Sequence, residues 1–143
     1  MIKLIILLTI GISALSSSLF ADDNIAKRQE AMQVVRSSMK ILGPMAMGQT
    51  EFENSKAKDT LSDFLNAIKP YKDYFPEEPT AGQKTDASLE IWVHKEDFNE
   101  KIDSFVSAVT IASTNKWKDT AAFKADFMEI GNSCKSCHRK YRR

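Results

Sequence analysis

Apolar side chains recur at alternating three- and four-residue intervals along most of this chain, the spacing that gathers them on one face of an α-helix. No stretch alternates apolar and polar residues as an exposed strand would. In the first periodic stretch Ile25, Met32, Val35, Met39 and Leu42 form a seam, predicting a helix from about Asp23 to Leu42, with Gly43-Pro44 either ending it or kinking it onward. Ala57, Leu61, Phe64, Leu65 and Ile68 predict a second helix, capped at Asn54 and terminated by Pro70. An aromatic turn follows, with Tyr71, Tyr74 and Phe75. Residues 76–88 hold two prolines and Gly82 and read as a long connection, after which Leu89, Ile91 and Trp92 fold back onto the core. A third helix carries Phe98, Ile102, Phe105, Val106 and Val109, with Glu96 and Asp97 near its start, where the helix dipole favours acids. The fourth carries Phe123, Phe127, Ile130, Cys134, Cys137 and Tyr141. Four amphipathic helices with mostly short connections predict an all-α, antiparallel up-down-up-down four-helix bundle.

The pattern fails at the start of the chain, where periodicity gives way to a continuous apolar run. Lys3 precedes an almost wholly apolar Leu4–Ile12, and Ser16–Ala21 is small and polar enough for processing, which reads as a secretory signal peptide cleaved after Ala21. The apolar run is shorter than the 18 or more residues expected of a spanning helix, so no stable membrane span is expected after processing. Residues 22–143 are then one domain, long enough to build a core without disulfides or a structural metal. Of the 20 basic side chains, removing Lys3 leaves 19 against 19 acids. A chain with no net charge is a poor nucleic-acid binder and a poor polybasic membrane binder, since both need a cationic excess.

Export sends the two cysteines to an oxidising compartment, yet a disulfide between residues three apart at the end of the chain would staple almost nothing. Cys134-Lys135-Ser136-Cys137-His138 is instead the Cys-x-x-Cys-His attachment signature of c-type haem. On a helix, positions three and four apart share a face, so Cys134 and Cys137 can reach the two vinyl groups of one porphyrin edge while His138 turns its imidazole beneath the iron. A thioredoxin-like dithiol belongs at a helix N-terminus in a βαβ setting, where the dipole lowers the thiol pKa. A structural zinc needs a fourth ligand, and the only other histidine, His94, is distant and reads as an exposed residue at the start of the third helix.

Arg28 interrupts the first seam at a place where an apolar side chain is expected, and something must compensate its charge. A haem propionate would do so with a charge-assisted pair; a stem that packs while the head reaches water is the alternative. Met32, one turn on, can approach the iron from the side opposite His138, or simply fill the core as methionine commonly does. Met39, Met45 and Met47 are weaker candidates. Arg139, Lys140, Arg142 and Arg143 form a basic cluster, either a cationic helix end answering its dipole or a docking rim for an acidic redox partner, with Arg142 close to the proximal side of the iron.

A leader, four helices and a terminal Cys-x-x-Cys-His make this sequence similar to the cytochrome c′ family over nearly the whole processed chain. Arg28-Gln29-x-x-Met32 resembles the family's first-helix motif, and Cys134-x-x-Cys137-His138-x-x-Tyr141-Arg142 resembles its haem-binding end. Gly43-Pro44 and Glu90-Ile91-Trp92 are similar to segments of family members. The resemblance implies one covalent haem c per chain, held by Cys134, Cys137 and the iron ligand His138, with Arg28 approaching a propionate and Met32 capping the distal pocket, either as a second iron ligand or, as in some high-spin members, as a pocket wall. It also implies a Gram-negative periplasm, frequent dimers through the first two helices, and no enzymatic turnover. Two behaviours belong to the family: low-spin members take a first-helix methionine as sixth ligand and pass electrons to redox partner proteins, and high-spin members keep five-coordinate iron and bind nitric oxide or carbon monoxide.

Overall fold

The computed structural model of the chain describes residues 15–79 and 84–143, with side chains from Asp23 onward. Most of the predicted leader, residues 1–14, lies outside the described residues. The elements are α1 (Leu15–Ala46), α2 (Asn54–Ile68), a 3-10 turn (Tyr71–Tyr74), α3 (Glu90–Val93), α4 (Lys95–Thr114) and α5 (Thr120–Tyr141). The four long helices form the bundle. α1 packs on α2, α2 on α4, α4 on α5, and α5 closes the ring on α1. Cross-helix bonds fix the antiparallel sense. Asn115 at the end of α4 donates to Asp126 early in α5 (2.8 Å), while Lys140 at the end of α5 reaches Asp97 at the start of α4 (2.9 Å). Likewise Lys58 in the first turns of α2 donates to the carbonyl of Ser113 in the last turn of α4 (2.8 Å), answering oxygens that the helix leaves unpaired.

The seams read from the sequence face inward. Leu42, Leu61, Phe64, Ile68, Val109, Phe123 and Ile130 are fully buried in the main core, and each such side chain contributes roughly 1.5–3 kcal/mol relative to exposure. A smaller core of Phe75, Ile91, Phe98, Ile102 and Tyr141 fills one end. This is the end where α1 and α4 begin and α2 and α5 finish.

One alternative is decided and two expectations are corrected. α1 continues past Gly43-Pro44: Pro44 lies within its last turn, and Met45 and Ala46 beyond it are buried at 2% and 1% exposure. Burial of that turn outweighs the hydrogen bond a proline cannot donate. The chain turns only at Gly48, whose φ of +67° is a left-handed conformation that glycine adopts without a Cβ clash. The cap of α2 is Glu53 rather than Asn54, and no side chain makes the capping bond. In the long connection, Ile91 and Trp92 do fold back within α3, Trp92 Nε1 donating to the Pro76 carbonyl (2.9 Å), but Leu89 is left 62% exposed. His94 stands exposed between α3 and α4, beside Glu90 (3.3 Å).

Candidate cofactor site

A cleft of about 1020 Å³ opens at the end held by the smaller core, at the upper limit of the ~300–1,000 Å³ usual for ligand pockets. Its walls come from α1, α4, α5, the 3-10 turn and the connection before α3. Arg28, Met32, Cys134, Cys137 and His138, spread over 111 residues of sequence, all line it. So does Met39. Met45 is buried in the main core and Met47 is 46% exposed; neither reaches the cleft.

α5 carries the cysteines and the histidine because its apolar stripe continues to Tyr141, so the face with Phe123, Phe127 and Ile130 at one end has Cys134 and Cys137 at the other. Cys134 packs against the main core and Cys137 against the smaller one, so the pair joins the two along one helix face. Desolvation dominates their acidity: it pushes the Cys134 thiol up to about 11 and raises Cys137 as well. That direction is the opposite of what a nucleophilic dithiol requires. Among the described residues no group of three or more His, Cys, Asp or Glu side chains is arranged to hold a metal ion.

His138 stands at the open side of the cleft, reached by solvent yet surrounded by protein atoms of the walls. Desolvation there, and secondarily the charge of Arg142, lower its pKa below the ordinary histidine value, favouring the neutral imidazole that a metal ligand must be.

Arg28 is only 7% exposed, so its head does not snorkel to water. Its guanidinium lies 4.5 Å above the Phe75 ring, and Nε donates to the Asn24 carbonyl (3.2 Å). Nη1 is buried with no hydrogen-bond partner. Such an orphan costs roughly 1–3 kcal/mol, more for a charged group, unless something in the cleft accepts from it. An anionic group at this position, such as a propionate carboxylate, satisfies both the charge and the donor. The residues present therefore fit a haem held by two thioethers, one imidazole and one guanidinium, with Met32 on the α1 wall of the cleft.

The basic C-terminus is largely engaged. Lys140 pairs with Asp97 (2.9 Å), Arg142 with Asp86 (3.1 Å), and Arg143 donates to the Thr85 carbonyl (3.0 Å), leaving Arg139 as the exposed cation of the four without such a bond among the described residues. These contacts tie α5 to α4 and to the segment before α3. Two contributors went unassigned in the sequence reading. Asp97, placed there only as a helix-start acid, accepts from both Tyr141 and Lys140. Tyr71, noted only as part of an aromatic turn, lines the cleft. Their part in the site carried no local signal, since the residues that give it, Tyr141 and Lys140 for Asp97 and Arg28 for Tyr71, are more than 40 positions away.

Comparison with known proteins agrees with this geometry. A sequence family described as Cytochrome C′ matches residues 23–142. The chain is 28% identical over 131 residues to a cytochrome c-556 of Rhodopseudomonas palustris, covering 89% of this chain and 87% of that protein. The solved cytochrome c′ of Rubrivivax gelatinosus superposes with a TM-score of 0.79 at 27% identity, over 86% of this chain and 97% of that one. A nitric oxide complex of a variant cytochrome c prime from Alcaligenes xylosoxidans shares the fold, with a TM-score of 0.76 at 24% identity over 86% and 96% of the two chains.

Proposed function

The chain belongs to the cytochrome c′ family, and from that premise we propose that it is a periplasmic single-haem electron-transfer protein with no substrate turnover of its own. Covalently attached haem c is the family's cofactor and supplies, when bound, an iron that takes up and releases one electron at a potential set by its ligands and surroundings. Cys134 and Cys137 hold the porphyrin edge to α5 through thioethers. His138 offers a neutral imidazole nitrogen from the next position of the same helix. Arg28 would donate its orphaned Nη1–H to a propionate carboxylate and balance that group's negative charge. Phe98, Ile102 and Phe105 give the cleft an apolar lining that would keep water from a bound porphyrin. The leader pattern in residues 1–21 supports export to the periplasm.

The observation that carries this reading is that Met32 on α1 and His138 on α5 line one cleft, one thioether and one imidazole, the ligand pair of electron-carrying c-type cytochromes. An optical spectrum of the purified protein with a redox titration tests it. A low-spin ferric haem with a methionine charge-transfer band and reversible one-electron behaviour is expected; a high-spin ferric spectrum rejects Met32 ligation.

A gas-binding reading rests on a separate observation, the similar fold that was solved as a nitric oxide complex. In that case Met32 lines an apolar distal pocket without ligating, and the fifth ligand alone, His138, holds the iron.

A further inference from the structure

On the reading that Arg28 meets a haem propionate, we infer that Tyr71 is a second donor to the same carboxylate, so that the anionic edge of the cofactor is held jointly by a guanidinium and a phenol. Tyr71 opens the 3-10 turn and lines the cleft together with Arg28. The two side chains share one support. Phe75 lies 4.5 Å beneath the Arg28 guanidinium, and its ring centroid is 5.4 Å from that of Tyr71 with the planes 67° apart, an edge-on contact. Tyr74 packs on Tyr71 as well, at 6.3 Å and 75°. The phenol ring is thus fixed by aromatic contacts at the same end of the cleft as the buried guanidinium.

Both residues keep a donor that meets no protein acceptor among the described residues, and that of Arg28 is fully buried. Arg28 has committed Nε to the Asn24 carbonyl, which leaves Nη1 buried and unpartnered. Among the described residues no hydrogen bond to the Tyr71 hydroxyl is formed, while burial, only partly countered by the charge of Arg28, pushes its pKa up to about 12. The group is therefore an O–H donor throughout the physiological range. A carboxylate has about four lone-pair sites, more than one guanidinium nitrogen uses, and a donor with no competing charge of its own suits the remainder. The consequence is electronic. Each donor draws negative charge off the propionate, so the ferric state loses part of its stabilisation and the reduction potential rises.

The test compares the haem-loaded wild type with Tyr71→Phe, Arg28→Gln and the double variant, measuring the reduction potential in one buffer and the propionate bending band by resonance Raman. Phenylalanine keeps the ring contacts with Phe75 and Tyr74 and deletes only the hydroxyl, so the Tyr71→Phe comparison decides by itself even if Arg28→Gln folds poorly. Expected are a lower potential and a shifted propionate band in Tyr71→Phe, and a double variant that departs from the sum of the single changes because both donors serve one acceptor. If Arg28→Gln moves both readouts while Tyr71→Phe overlaps wild type, Tyr71 only packs and the inference is overturned with the Arg28 reading intact. If neither substitution moves either readout in protein with covalently attached haem, the two fall together.

Discussion

The hydroxyl of Tyr141 donates to the carboxylate of Asp97, joining the last turn of α5 to the first turn of α4 one turn away from His138. Tyr141 is itself 3% exposed, stacked edge-on against Phe98 at 5.1 Å, and its backbone oxygen accepts from Ser88 N (2.9 Å). Asp97 also takes Lys140 (2.9 Å) and has Lys101 nearby (3.7 Å). The end of α5 that carries His138 is therefore tied to the start of α4 through the Asp97 carboxylate.

That anchor has a pH signature. Hydrogen bonds from Tyr141 first and Lys140 second hold the Asp97 carboxyl at about 2, below its ordinary 3.8. A depressed folded-state pKa means stability present above the unfolded value and lost as pH falls, here between about pH 4 and pH 2. Asp97→Asn is expected to melt below wild type at pH 7, with the gap closing as pH approaches 2. Parallel melting curves over that whole range would show that Asp97 contributes nothing through its charge.

Replacement of both Cys134 and Cys137 by serine is expected to abolish haem that survives denaturation, because each thioether holds one porphyrin edge to α5. Haem staining of a denaturing gel checks this, and undiminished stain in the double variant would reject both attachment sites. The single variants should retain one thioether and show weakened holoprotein.

His138→Ala is expected to leave covalent attachment in place and alter the visible spectrum, since thioethers do not bind the iron. A spectrum identical to wild type refutes the proximal assignment.

Met32→Ala separates the electron carrier from the gas binder. With Met32 as sixth ligand, the substitution converts a low-spin spectrum to high-spin, lowers the potential and admits carbon monoxide readily. Met32 is half-buried, so the stability cost should sit at or below the lower end of the ~2–5 kcal/mol seen for buried Met→Ala. A low-spin wild type whose spectrum survives Met32→Ala rejects it, and Met39, the other methionine on the cleft wall, is then the residue to replace.

Arg28→Leu is expected to lower the reduction potential while the bundle stays folded, as the positive charge over the propionate is lost and the ferric state gains. Circular dichroism and a redox titration in one buffer check it. Overlapping titration curves would return Arg28 to a packing role.

Local periodicity was enough for the helices and for the relation among Cys134, Cys137 and His138, because a helix places residues three and four apart on one face whatever surrounds it. It was also enough to mark Arg28 as out of place in an apolar seam. The same local rules left open whether α1 runs past Gly43-Pro44, since the burial of Met45 and Ala46 that carries the helix through Pro44 depends on the other helices. Which groups meet Arg28, Asp97 and the terminal cations was likewise settled only by tertiary packing. Phe75 under Arg28, Tyr141 on Asp97 and Asp86 on Arg142 are pairings across 44 to 56 residues, set by how the ends of α1, α4 and α5 converge with the 3-10 turn and the connection before α3. No spacing along the chain encodes those distances; they exist because apolar burial brings these segments to one end of the bundle and leaves their polar ends to find partners there.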